Sequence, residues 1–297
     1  MSREKETVPL AVNVVAKYWG EDLEDLAGGA PATATLIDGI ELAERRGLAC
    51  YAYRGSLKDL KKRIDQGIPP IAIMPGIHDL AQHAMVVAGY NGDERRVLTY
   101  VPEPDTVGAV PEAKFEQDWE QDDMTCLVII PSDMKDILKN EELKFARSNR
   151  MCLEAERLRV QGSAGKAIER LRQATEVDTD SAGAWSHLGG MLNEQGSEEA
   201  VACYERATKL NPRYYLAYRG LGNYYLKRQD YSLAEAYYAK AIAINPSRFG
   251  PIYKNRAVAR MQLGYNAGAK QDLVIYLEQM PASVRDRKSI EEAISQL

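Results

Sequence analysis

RYYLAYRGLGNYYLKRQDYSLAEAYYAKAIAINP, from Arg213 to Pro246, decides how the C-terminal half of the chain is read. Leu216, Leu221 and Tyr225, then Leu233, Ala236, Tyr237 and Ile242, recur at helical spacing. Gln229-Asp230 break the apolar period and Asn245-Pro246 stop it, so the stretch reads as two short helices joined by a tight turn. One such hairpin cannot bury its own apolar face and needs neighbours of the same kind.

Three further copies supply them. AWSHLGGMLNEQGSEEAVACYERATKLNP runs from Ala184 to Pro212 and IYKNRAVARMQLGYNAGAKQDLVIYLEQMP from Ile252 to Pro281. A weaker copy, MCLEAERLRVQGSAGKAIERLRQATEVDTD, runs from Met151 to Asp180. Gly189, Gly222 and Ala257, with Ala155 in the weak copy, are small where one helix presses on its partner, and Trp185, Tyr218 and Tyr253 are bulky knobs ahead of them. Ala167, Ala200, Ala234 and Ala269 open the second helices, and Pro212, Pro246 and Pro281 close three of them. The copies lie about 34 residues apart, and the array resembles the tetratricopeptide repeat family over the last half of the chain. Ser289 to Leu297 is expected to end a capping helix.

At 297 residues and 45% hydrophobic the chain is long enough for two domains with proper cores. A net charge of −5 argues against a nucleic-acid or anionic-membrane surface, since both want concentrated Lys and Arg. No window approaches a membrane-spanning length of apolar residues. MSREKETVP lacks the apolar core of a secretory signal, so a cytoplasmic location is expected, or export if a signal has been removed. Cys50, Cys126, Cys152 and Cys203 are scattered, with no CxxC pair and no nearby His. They read as small buried hydrophobes; neither a metal site nor a cofactor is expected.

The first half follows in order. Thr7 to Gly20 reads as a short amphipathic helix with Thr7 placed to cap it, Pro9 in its first turn and Gly20 ending it. Thr33 to Gly47 gives a second helix, Leu48 to Arg54 alternates like a strand, and Ser56 caps a third helix from Leu57 to Gln66. Pro70 to Met74 and His83 to Tyr90 read as strands. Asn91-Gly92 signals a hairpin into Val97 to Val101, and Leu127 to Pro131 looks like a closing strand. Acidic Glu116 to Asp123 lies on the last connection, and the Ser132 to Lys144 stretch reads as linker or helix. Helices first and an antiparallel sheet second make an α+β layout.

This order resembles the papain-like cysteine peptidases, specifically the bacteriocin-processing branch that removes double-glycine leaders. Thr7-Val8-Pro9 stands before LAVNVVAKYWG where that family has Cys-Gly-Pro opening its first helix. GSLKDLKKRIDQGIPPIAIM resembles the family's Leu-rich helix, Gly-x-Pro corner and buried strand. His83-Ala84-Met85-Val86-Val87-Ala88-Gly89-Tyr90 is similar to its base motif. The resemblance implies a nucleophile at position 7, a base at His83, an oxyanion Gln upstream and an Asp or Asn orienting the His.

Most of those groups are missing. A cysteine nucleophile works as a thiolate, whereas the hydroxyl of Thr7 has a pKa far too high for a His alone to ionise. Counting back to the Gln position leads to Met1, and a donor of that kind supplies roughly 3 kcal/mol. At the orienting position stands Val101-Pro102, with Glu103 and Asp105 close by. Only His83 survives, so the resemblance implies a pseudo-enzyme. The bland readings compete well: capping explains Thr7, and a satisfied histidine at a strand start explains His83. His78 and His187 have no partner at a recognisable spacing, and the acidic runs Glu21 to Asp25 and Asp118 to Asp123 read as solvated faces.

In a tetratricopeptide array the first helices line a concave surface. The positions facing it include Ser186, Gly190 and Asn193 in the second repeat, Arg219, Asn223 and Lys227 in the third, and Lys254 and Asn255 in the fourth. Arg219-x-x-x-Asn223 followed by Asn255 is similar to part of the two-carboxylate clamp by which chaperone-binding arrays hold a C-terminal peptide. The tyrosines at 214, 215, 218, 224, 225, 237 and 238 read mainly as inter-helix packing.

The expected fold is an α+β papain-like N-terminal domain followed by an all-α tetratricopeptide-repeat solenoid. Residues 1–133 form the first, 134–147 a connecting segment, and 148–297 about four repeats with a capping helix. The expected function is a non-catalytic scaffold that docks a protein or peptide partner, or a larger assembly, through Asn193, Arg219, Asn223, Lys227, Lys254 and Asn255. An acyl- or peptidyl-transfer enzyme using His83 with a nucleophile supplied by substrate or partner is the alternative.

Overall fold

A computed structural model describes residues 7–23, 36–76, 82–102, 105–248, 250–280 and 285–297. His78, Glu103 and Pro281 lie outside the described residues, as do the side chains of Thr7 and Pro9. The chain divides into two compact units, Met1–Met74 with His83–Leu188 and Pro75–Gln82 with Gly189–Leu297, so that the helical part has its break between Leu188 and Gly189.

The first unit begins with α1 (Thr7–Tyr18) and α2 (Leu36–Arg45). Gly20 and Gly47, both at φ +85°, turn the chain out of them. Residues 33–35, where the second helix was expected to start, lie outside the described residues. β1 (Leu48–Arg54) leads to α3 (Leu57–Asp65), whose Ser56 hydroxyl accepts the Asp59 amide at 3.1 Å, as its capping role requires. β2 (Ile71–Pro75), β3 (Gln82–Asn91), β4 (Arg96–Val101), β5 (Thr106–Pro111) and β6 (Thr125–Pro131) complete a six-stranded sheet of order β1-β6-β2-β3-β4-β5. The pairs with a defined register are antiparallel.

β6 is the last strand but not an edge. It lies between β1 and β2, with Leu48 opposite Pro131 and Ile71 opposite Leu127. Alternate residues of a strand point to opposite faces, and both faces of β6 are covered. Leu127 and Ile129 join Val12 and Val15 of α1 and Ile37 and Ile40 of α2 on one side. Cys126, Val128 and Ile130 join Leu60, Phe115 and Trp119 on the other. That double burial is why the strand reads as an unbroken apolar run.

Four local features refine or correct the sequence reading. Asn91-Gly92 opens the expected hairpin from β3 into β4, whose connection runs from Gly92 to Arg95, with Asn91 Oδ1 accepting the Glu94 amide at 3.0 Å and Arg95, not Gly92, at positive φ. β5 and α4 (Glu112–Trp119) were not anticipated. Gly108 and Pro111 dilute the strand pattern, and the apolar signal of α4 is the pair Phe115 and Trp119, one turn apart and both fully buried. The end of the acidic run is no solvated face. Gln121, Asp122 and Asp123 are buried, because positive φ at Asp123 and Met124 folds the chain back into β6 and Arg54 meets Asp123 at 2.9 Å. Nor does the run from Ser132 hang free: a 3-10 turn over Ser132–Leu138 is followed by Glu141, which reaches Lys62 and the buried Arg63, and by the Lys144 carbonyl, which accepts the Arg54 amide at 2.8 Å.

The first helical hairpin, α5 (Ala146–Val160) and α6 (Ala164–Val177), belongs to this unit. Leu153 packs on the α1–α2 core. Arg150 donates to both oxygens of Glu44 on α2, at 2.7 and 3.1 Å, and Arg157 meets Glu41 at 2.6 Å. Ala155 and Ala167 are buried where the two helices meet. α7 (Ala182–Glu194) then carries the chain across the break.

The second unit holds the end of α7 with α8 (Glu199–Leu210), α9 (Tyr215–Lys227), α10 (Tyr231–Ile244), α11 (Pro251–Gln262), α12 (Asn266–Gln279) and α13 (Arg287–Gln296). The small residues sit where they were expected. A Cβ on Gly189 would lie 3.0 Å from the Tyr204 ring, and one on Gly222 would lie 2.5 Å from the Tyr238 ring. Gly220 is tighter still, 2.4 Å from Tyr204, so α9 approaches α8 only because no side chain intervenes. Gln229, at φ 62°, makes the turn between α9 and α10, and Asp230 caps α10 through the Leu233 amide at 3.1 Å. Ala200, Ala234, Ala257 and Ala269 are all buried. Asp272 on α12, nearly inaccessible, accepts from Arg256 and Arg260 of α11, so this buried carboxylate is paired twice. α13 lays Ile290, Ala293, Ile294 and Leu297 over Ala257, Ala269 and Leu273.

Candidate functional site

α9 places Arg219, Asn223 and Lys227 one turn apart, and therefore along one face. Asn223 is the best-positioned of the three. Its Oδ1 accepts from the Tyr238 hydroxyl at 2.7 Å and from Asn255 Nδ2 of α11 at 3.4 Å. With both bonds on the oxygen, the amide is oriented and its NH2 group is left to donate. This contact joins the third and fourth repeats through two of the residues singled out in the sequence.

Arg219 is half-buried among aromatic rings. Burial lowers its guanidinium pKa; the neighbouring Tyr215, Tyr204 and Tyr238 act in the opposite sense, and Arg248 adds to the lowering. Tyr204, from α8, has its hydroxyl pushed up to about 12 by burial, while a hydrogen bond with Asn193 works against that rise. Asn193 itself is buried, and its backbone carbonyl receives the Lys227 ammonium at 3.5 Å. Lys254 is already engaged: its ammonium meets Asp286 Oδ2 at 2.7 Å, and the Tyr276 hydroxyl donates to the other oxygen at 2.9 Å.

The six positions thus separate into three groups. Arg219, Asn223 and Asn255 belong to one donor-rich stretch of α9 and α11. Asn193 and Lys227 bond to each other, and Lys254 is held by Asp286. Tyr238, Tyr204 and Asp286 are the partners that sequence reasoning missed. Tyr238 belongs to the tyrosines read from the sequence as inter-helix packing, which they also do: Tyr214, Tyr215, Tyr224 and Tyr238 are buried, and Tyr225 stacks on Tyr237 with ring centres 5.6 Å apart.

In the first unit His83 is half-buried at the second position of β3, and Thr7 is the first residue of α1. Asp105, considered as an orienting acid, hydrogen-bonds to the Tyr100 hydroxyl, which raises that tyrosine's pKa. Cys126, Cys152 and Cys203 are buried free thiols as expected. Cys50 is a half-buried free thiol pushed up to about 12 chiefly by burial, which makes it a poor nucleophile. No helix among the described residues is long and apolar enough to cross a membrane.

Comparison with known proteins agrees with the helical half. The family model described as Tetratricopeptide repeat matches residues 196–249, from the turn before α8 to the end of the α10–α11 loop. A mouse protein, Protein O-mannosyl-transferase TMTC1, is 40% identical over 87 residues, which is 29% of this chain and 8% of that protein. The chain therefore spans less than a tenth of that relative. Among solved structures, PilW, described as a type IV pilus biogenesis factor, is 25% identical over 54% of this chain and 75% of its own, at a TM-score of 0.45. A MamA protein is 27% identical over 49% of this chain and 78% of its own, at 0.41. The family match shows that residues 196–249 carry tetratricopeptide repeat sequence, and the small-against-large contacts of Gly189, Gly220 and Gly222 with Tyr204 and Tyr238 agree with it.

Proposed function

We propose that this chain is a non-catalytic protein-interaction scaffold whose repeats hold an extended acidic segment of a partner. The observation that carries the reading is Asn223, oriented by Tyr238 and Asn255 with its NH2 group left to donate, one turn from Arg219. Carboxylates favour arginine and oriented amide donors, and extended segments suit the groove of a helical array. Titrating the full chain into a fluorescein-labelled octapeptide of alternating alanine and glutamate, read by anisotropy, tests it. Arg219→Met is expected to weaken binding by about tenfold or more, as loss of a charge-assisted bond does. Equal affinity of wild type and variant would sink the reading.

The N-terminal unit is read as a degenerate papain-like peptidase domain over residues 1–133, joined by 134–147 to repeats over 148–297. Two helices before an antiparallel sheet, and His83 near the start of β3, support it. With Thr7 in the nucleophile position, the purified chain is expected to leave fluorogenic peptides uncut. Hydrolysis that disappears in His83→Ala would overturn the non-catalytic reading.

A further inference from the structure

Lys254 follows the Tyr253 knob as Arg219 follows the Tyr218 knob, so the two cations hold equivalent places in successive repeats. Lys254 nevertheless already holds a carboxylate. Asp286 receives its ammonium at 2.7 Å on one oxygen and the Tyr276 hydroxyl at 2.9 Å on the other, so each oxygen has one donor, as a bound carboxylate would.

The position of Asp286 makes this contact unusual. It is the residue just before α13, where an aspartate ordinarily caps the helix by accepting its first free amides. Its side chain makes no such bond and crosses to α11 and α12 instead. The Lys254 ammonium, foremost, and Tyr276 hold its carboxyl below the usual range. α13 is lightly held: none of its side chains is fully buried, and it rests on a few half-buried apolar contacts. An element with so little buried surface opens at low free energy.

We propose that Asp286 is a built-in occupant of the cationic end of the groove, an intramolecular carboxylate that a partner's carboxylate must displace from Lys254. This rests on the groove reading given above and adds its regulation: the cap helix sets the threshold for binding. An acidic segment with enough carboxylates to engage Asn223 and Lys254 together outcompetes Asp286, and a shorter or neutral one does not.

The test uses the full chain and the same labelled alanine–glutamate octapeptide. Asp286→Asn frees Lys254 and is expected to raise affinity by about tenfold, in the range measured for close charge pairs. Adding Lys254→Met should return the affinity to the wild-type value or below. Tyr276→Phe leaves the ion pair and α13 in place while loosening Asp286, so a smaller gain is expected even if Asp286→Asn costs helix content. If both variants bind as wild type does while Arg219→Met loses binding, the groove stands and this inference falls. If neither wild type nor Asp286→Asn binds the octapeptide, both fall.

Discussion

Gly222→Val is expected to destabilise the second unit by about 3 kcal/mol, the upper end for overpacking a closed core. A Cβ at this position would meet the Tyr238 ring at 2.5 Å, and that ring cannot step aside. It is fully buried, and its hydroxyl is tied to Asn223. Even Gly222→Ala should destabilise, against the gain of roughly 0.5–1 kcal/mol that alanine brings to an open helix. Gly165, in the first turn of α6 with nothing within 4 Å of a Cβ, provides the control: Gly165→Ala should show no such loss. Urea unfolding of the three variants, followed by circular dichroism, decides it. A stabilised Gly222→Ala would mean that the ring is not fixed as described.

Arg63→Met is expected to cost about 3–5 kcal/mol, the loss usual when one partner is removed from a buried ion pair. The Arg63 side chain is inaccessible to solvent. It donates to Asp59 at 2.8 Å, to Gln66 at 3.0 Å, to the Tyr53 hydroxyl at 3.3 Å, and to Glu141. Methionine fills the volume and leaves two carboxylates facing a tyrosine hydroxyl. Glu141→Gln should cost less, about 2 kcal/mol, since Asp59 stays to neutralise the arginine. The arginine's hydrogen bond holds the Glu141 carboxyl down to about 2, with Lys62 adding to it. A carboxyl depressed on folding stabilises fully above its unfolded pKa and loses that contribution as pH falls through the folded one. The difference between wild type and Glu141→Gln should therefore be complete at pH 7 and shrink between about pH 4.5 and pH 2. Urea midpoints at pH 7 and pH 3 measure it, and a difference that grows on acidification would reverse the assignment.

The helical half was legible because its information is local and periodic. Gly189 and Gly222 face Tyr204 and Tyr238, and a packed hairpin demands the same small-against-large contact in each copy. In the sheet, β1 and α3 were legible from alternation and from the Ser56 cap. β5 was not, because its residues are mostly exposed at the sheet's edge and its apolar pattern is correspondingly weak. The buried turn at Gln121 to Asp123 was hidden for a different reason. Its sequence is acidic, and only the return of the chain into β6 and the arrival of Arg54 make burial tolerable.

The sequence by itself determined the repeats, the faces of α9 that carry Arg219 and Asn223, and the helices and strands of the first half other than β5 and α4. Each follows from spacing within about ten residues, where backbone geometry alone decides which side chains share a face. Tertiary structure decided the rest. It brought Asn255 to Asn223 across 32 residues, Asp286 to Lys254 across 32, and Glu141 to Arg63 across 78. It also built the α5–α6 hairpin into the first unit through Arg150 and Glu44, 106 residues apart. A hydrogen bond or ion pair reaches only about 3 Å, so its partners are chosen by where the packed elements end up. No period in the chain encodes that distance.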